Sequence, residues 1–98
     1  MLYEIELKVE VEEELGKLSK AQQILVYKQF SKISKSPELG QLLGNKNGYS
    51  LSGCRKIYVD KKRIRIVYQI IEENIVVEVI AIGKRDDMEV YAKASLRL

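Results

Sequence analysis

Six cations crowd the middle of this 98-residue chain: Arg55, Lys56, Lys61, Lys62, Arg63 and Arg65 lie between positions 50 and 71 against one acid, Asp60. Lys84 and Arg85 follow a strand's length later. Arginine carries a planar, permanently charged fork of donors that fits phosphate oxygens, and lysine carries a point charge. Lysine becomes a base only where its surroundings bring its pKa well below about 10.4. Tyr58, within the same cluster, can stack on a base or donate to a phosphate. Such a set suits an anionic partner, with nucleic acid the leading candidate, and fixed cations stabilise the charge that gathers on phosphorus during transfer. The plainer alternative is a solvated hairpin whose lysines guard it from aggregation.

The rest of the composition narrows the chemistry. There is no histidine and one cysteine, Cys54, so neither an internal disulfide nor a zinc site with imidazole ligands can form. No metal or cofactor is expected, and a reducing cytoplasm fits best. The opening MLYEIELKVEV alternates polar and apolar residues and does not read as an export signal, and no run approaches the ~20 apolar residues of a membrane span. With 46% hydrophobic and 32% charged residues, the composition is globular. The length suits a single domain over 1–98. Net charge is only +3, because residues 1–14 hold six Glu against Lys8.

Elements must bring the cluster together. Leu2 to Lys8 alternates as a strand, and from Val9 the spacing of Val11, Leu15 and Leu18 becomes helical. Ser19-Lys20-Ala21-Gln22 reads as a capping box that starts a second helix. Its apolar positions include Ile24, Tyr27, Phe30 and Ile33, and Ser36-Pro37 ends it. Residues 38–53 hold four glycines and two asparagines, which predicts a loop anchored by Leu42, Leu43 and Leu51. Arg55–Val59, Arg63–Ile71 and Ile75–Gly83 read as three strands joined by Asp60-Lys61-Lys62 and Glu72-Glu73-Asn74. An aspartate-capped helix is expected over Asp87–Leu98, with Val90, Tyr91, Ala94 and Leu98 at helical spacing.

The order β-α-α-β-β-β-α predicts an α+β fold, a mostly antiparallel sheet with a helical hairpin packed on it. The helices are expected on one sheet face, leaving the other for a ligand. Placing Ile57 opposite Ile64 makes facing pairs in the middle hairpin sum to 121. Lys56 then lies opposite Arg65 and Tyr58 opposite Arg63, all on one face. Facing cations are unfavourable by roughly 0.2–1 kcal/mol unless an anion lies between them, and phosphate is the obvious candidate.

The segments GCRKIYV and RIRIVYQIIEENIVVEVIAIGKRDDMEVYAKASLRL closely resemble the C-terminal half of the RelE family of toxins. The resemblance runs ungapped over roughly 53–98 and rests on ordered features: R-x-V-Y at 65–68, I-G-K-R at 82–85 and E-V-Y at 89–91. It implies a RelE-like fold and a metal-independent mRNA interferase of a type II toxin–antitoxin system. Such an enzyme cuts in the ribosomal A site by attack of a 2′-hydroxyl on the adjacent phosphate. The resemblance gives Lys56 a part in deprotonating that hydroxyl and Arg65 the stabilisation of transition-state charge. Arg85 takes protonation of the leaving oxygen, and Tyr91 orients substrate, partly by stacking. Arg55, Tyr58, Lys61, Lys62, Arg63 and Lys84 are then expected to contact RNA. The implied partners are a RelB-like antitoxin, the ribosome and mRNA. One position departs from the family pattern: the second lysine, two residues after Lys56, is Tyr58 here.

Simpler roles compete at each position. Tyr91 could pack the core, Arg85 could pair with Asp87, Arg65 with Glu78, and Lys56 could be an ordinary exposed lysine. At the level of function, the alternatives are a ParE-like toxin that poisons gyrase and a degenerate RelE-like protein that binds antitoxin or RNA without cleavage. Cys54 reads as structural, since nothing places a base beside it.

Overall fold

A computed structural model describes residues 2–46, 48–84 and 89–98. In chain order, β1 (Glu4–Leu7) leads into α1 (Val9–Gly16) and α2 (Lys20–Lys35). Three short strands follow: β2 (Gln41–Leu42), β3 (Asn45–Lys46) and β4 (Tyr49–Ser50). The meander is β5 (Cys54–Val59), β6 (Ile64–Ile71) and β7 (Val76–Lys84), and α3 (Glu89–Arg97) comes last. The main sheet has the order β1-β7-β6-β5-β2, with β1 parallel to β7 and the other pairings antiparallel. This is the expected α+β architecture, and the capping box at Ser19 and Gln22 forms with both of its hydrogen bonds.

The helices do not share one face. Val11, Leu15, Val26, Phe30 and Ile33 of α1 and α2 pack on Ile64, Ile66, Tyr68, Val77 and Val79. Val90, Tyr91 and Ala94 of α3 join Leu43, Leu51, Cys54, Val67, Ile80 and Ala81 in a second cluster on the opposite face. A bulge permits this. Val67 pairs with Ala81 and Tyr68 with Val79, so Ile80 is the extra residue and both Ile80 and Ala81 join the α3 cluster. The face expected to be open is therefore partly roofed by α3 together with Leu43 and Leu51.

Two finer expectations also change. On α2 the inward row is Val26, Phe30 and Ile33, at spacings of four and three, whereas Ile24 and Tyr27 lie on its flank and stay exposed. In the loop, Leu43 and Leu51 are buried anchors but Leu42 is exposed, because β2 lies at the sheet edge.

β1 ends opposite Val79, where the bulge begins. Beyond it, side chains replace the missing strand. Ile82 N–H donates to Glu14 Oε1 at 3.2 Å, and Arg97 Nη1 donates to the Ile80 carbonyl at 3.0 Å. Arg97 also holds Glu14 in a two-pronged ion pair at 2.9 and 3.1 Å, both side chains being nearly nine-tenths buried. The end of α3 is thus clamped to α1 through the edge of β7. No helix among the described residues is long and apolar enough to cross a membrane.

Candidate active site

Alternation along β5 and β6 puts Lys56, Tyr58, Arg65 and Val67 on the face that carries α3. The register is shifted from the expected one. Facing pairs run from Cys54 opposite Gln69 to Val59 opposite Ile64, which places Tyr58 opposite Arg65 and Lys56 opposite Val67. The cause is the turn. Asp60, Lys61 and Lys62 all take positive φ (53°, 54° and 69°) and, with Arg63, close a four-residue loop through an Arg63 N–H to Asp60 carbonyl bond. Gln22 of α2 holds this loop by donating to Asp60 Oδ2 at 3.0 Å. The slip is two residues, so the faces survive while the partners change.

Arg65 is the buried charge of the site, only 5% exposed on the central strand β6. Its guanidinium carbon lies 4.5 Å from the centroid of the Tyr91 ring and 5.7 Å from that of Tyr58, within cation–π range of both. Gly83 stands opposite it on β7 and presents no side chain. Lys56 Nζ donates to Tyr58 Oη at 3.2 Å and sits 5.2 Å from the same ring. Burial works to raise the Tyr58 phenol. Hydrogen bonds from Lys56 and Arg65, and the charges of both, outweigh it and hold the phenol below its ordinary value.

Tyr91 is 2% exposed, so it packs the α3 core and at the same time lies against Arg65. Glu78, the alternative partner of Arg65, accepts a hydrogen bond from Gln69 at 2.8 Å and pairs with Lys8 at 3.6 Å. It lies opposite Gln69, four residues along β6 from Arg65, or about 13 Å at strand spacing.

The remaining candidates spread out. Lys61, Lys62 and Arg63 are exposed on the loop next to Tyr58 and Arg65, and Lys84 pairs across the sheet from Ile64 at the same end. Arg55 projects to the other face and donates to the Glu38 and Gly40 carbonyls at 3.2 and 2.8 Å, which ties down the segment leading into β2. Arg85, together with Asp86 and Asp87, lies outside the described residues. Cys54 is fully buried, and burial, then the charge of Glu78, pushes its thiol up. That makes it a poor nucleophile.

The sequence reading missed one residue that shapes the site. Tyr68 Oη, fully buried, donates to the Pro37 carbonyl at 2.7 Å and accepts from Gly40 N–H at 2.8 Å. Gly40 is needed for that approach. A Cβ there would meet Tyr68 Oη at 2.5 Å and the Lys56 carbonyl at 2.9 Å. Tyr68 thereby fixes β2, whose Gln41 lies beside Lys56. Its place in R-x-V-Y was visible, but nothing local shows which backbone groups 28 to 31 residues away it serves.

Among known proteins, residues 5–89 match the family model for the ParE toxin of the type II toxin–antitoxin system parDE. A RelE-like toxin protein of Escherichia coli is 33% identical over 100% of this chain and 99% of its own length. The mRNA interferase toxin RelE of Escherichia coli K12 is 47% identical over 45 residues, which is 46% of this chain and 47% of that one. Free Escherichia coli RelE, solved as a double arginine-to-alanine mutant, superposes with a TM-score of 0.82 at 31% identity over 100% of this chain and 99% of its own. The same mutant bound to a peptide of the antitoxin RelB gives 0.74 at 30% identity, over 100% and 99% of the two chains. With a family match over most of its length and full-length likeness to RelE in sequence and fold, the chain belongs to the RelE/ParE family of type II toxin–antitoxin toxins.

Proposed function

We propose that this protein is a ribosome-dependent mRNA endoribonuclease that inhibits translation and is held in check by a RelB-like antitoxin. The observation that carries the reading is Arg65, a buried guanidinium set between the rings of Tyr58 and Tyr91 beside Lys56. A buried charge of this kind is rare unless it has work to do. In low dielectric its field acts strongly on charge several ångström away. On attack by the 2′-hydroxyl, negative charge grows on the non-bridging oxygens, and Arg65 and Lys56 stabilise it more than they stabilise the ground state. Tyr91 orients Arg65 from beneath. Arg85 is carried forward as the donor to the leaving oxygen, and Lys61, Lys62, Arg63 and Lys84 as contacts to the RNA backbone. No metal enters this scheme, and the chain acts as one domain in the cytoplasm.

The partner follows from the antitoxin-bound relative. The family model that carries the ParE name favours a second reading, a toxin directed at gyrase. Parallel assays separate the two: peptide synthesis in a purified translation system and supercoiling by purified gyrase. Arrested synthesis with untouched supercoiling is expected. Blocked supercoiling with normal synthesis would overturn the proposal in favour of the second reading.

A further inference from the structure

We propose that Tyr58, and not Lys56, takes the proton from the attacking 2′-hydroxyl. The inference rests on the ribonuclease reading above and names the base within that site. Its ground is where one phenol oxygen sits. Lys56 Nζ lies 3.2 Å from Tyr58 Oη, and a charged ammonium has protons only to give, so beside it the phenol oxygen accepts. Arg65, paired opposite Tyr58 on β6, hydrogen-bonds the same side chain and lies 5.7 Å from its ring. Among the described residues, the charged groups acting on the phenol are Lys56 from its own strand and Arg65 from the neighbouring one. Tyr91 of α3 packs against that guanidinium.

Two cations converging on one phenol oxygen favour its ionised form, in line with the direction in which the phenol is shifted. Tyr58 is also only half-buried, whereas Arg65 and Tyr91 are buried. A phenolate at that place can do what a base must do. The 2′ O–H bond breaks to Tyr58 Oη as the 2′-oxygen bonds to phosphorus. The P–O5′ bond then breaks with its electron pair on the 5′-oxygen. That oxygen takes a proton from the donor assigned above, Arg85, which water reprotonates, and the hydroxide so formed returns Tyr58 to phenolate. The products are a 2′,3′-cyclic phosphate and a 5′-hydroxyl. Lys56 and Arg65 keep their protons throughout.

Tyr58→Phe keeps the ring and removes only the oxygen, so folding should survive, which a thermal melt checks. Single-turnover cleavage of mRNA on programmed ribosomes is measured for wild type and variant across pH, with ribosome affinity measured alongside. A general base contributes about 10²–10⁴-fold. The variant should therefore cut at least about 100-fold more slowly with unchanged affinity, and the rise of rate with pH expected of wild type should be absent from it. Independently of activity, ultraviolet titration of the free protein should show one phenolate forming at lower pH than the others. That signal should be absent from Tyr58→Phe and move to higher pH in Lys56→Met. A Tyr58→Phe rate within threefold of wild type overturns the proposal. So does a slowed rate that keeps the wild-type pH profile, which would make Tyr58 a positioning residue, or an early phenolate signal that persists in the variant. If wild type itself cuts nothing on ribosomes, the ribonuclease reading fails first and this inference with it.

Discussion

Methionine at position 65 keeps the reach and the apolar stem of Arg65 but deletes the guanidinium, and so separates a functional charge from a structural one. The stack on Tyr91 at 4.5 Å is desolvated and worth about 2 kcal/mol, and the longer approach to Tyr58 adds about 0.5–1 kcal/mol. Against that loss, the folded state no longer shelters an ionised group that is 5% exposed, a penalty of several kcal/mol. A thioether against the two rings returns a further ~0.3–1.5 kcal/mol. The hydrogen bond to Tyr58, worth about 1.5–3 kcal/mol, is lost as well, so the balance lies within about 2 kcal/mol of zero. At about 4–8 °C per kcal/mol for a domain of this size, the Tm of Arg65→Met should stay within about 16 °C of that of wild type. Cleavage should fall by about 10²–10³-fold or more, the loss typical when a preorganised charge or dipole stabilising a developing anion is removed. Thermal melts read the first quantity and single-turnover cleavage on ribosomes the second. A Tm lowered by 20 °C or more, roughly 2.5–5 kcal/mol, would refute the reasoning, because the guanidinium would then be holding the fold. Undiminished cleavage would refute its assignment to the site.

Three further outcomes follow from the surroundings of the site. Tyr68→Phe strands the Pro37 carbonyl and the Gly40 amide, at about 1–3 kcal/mol for each buried group left unmet, so urea denaturation should show a loss of about 2–6 kcal/mol. Glu14→Ala removes the acceptor for both Arg97 and Ile82 N–H, and a loss of about 3 kcal/mol is expected in the same assay. Cleavage should weaken with it, because α3 carries Tyr91 against Arg65; full activity at the lower stability would uncouple the clamp from the site. Burial, chiefly, raises both Cys54 and Tyr68 in the folded protein. The unfolded chain therefore loses these protons first as pH rises. Their contribution is fully present below the unfolded pKa of each group and is lost as pH climbs through the folded one, so stability should fall at alkaline pH. Cys54→Ala should flatten that decline, whereas an unchanged slope would clear Cys54 of it.

Much of the fold was legible because it follows from local patterns. The capping box, the alternation of β5 and β6, and proline after α2 depend on neighbours only. That is why Lys56, Tyr58 and Arg65 could be put on one face without knowing their partners. What escaped depends on groups far apart in the chain. Three consecutive left-handed residues at 60–62 moved the hairpin register by two, and none of Asp60, Lys61 and Lys62 is a glycine that would advertise such a turn. The side taken by α3 is decided by Ile80 and Ala81 at the bulge, which an alternating pattern cannot reveal. Arg55 and Lys56 look alike in sequence, yet one binds the 38–40 backbone and the other faces the site. The burial of Arg65 between two rings needs both the sheet and α3, so no residue type or spacing announced it.

The central claim is cleavage of mRNA on the ribosome by the RNA's own 2′-hydroxyl, and end mapping of a translated message tests it most directly. Primer extension and 3′-end analysis would be run on ribosome-bound mRNA, on naked mRNA, and on a message carrying 2′-deoxy at the mapped position. The account predicts cuts at defined codon positions on ribosomes only, ending in a 2′,3′-cyclic phosphate and abolished by the 2′-deoxy substitution. Equal cutting of naked RNA, cuts that persist through the 2′-deoxy position, or no cuts from the folded protein would contradict it.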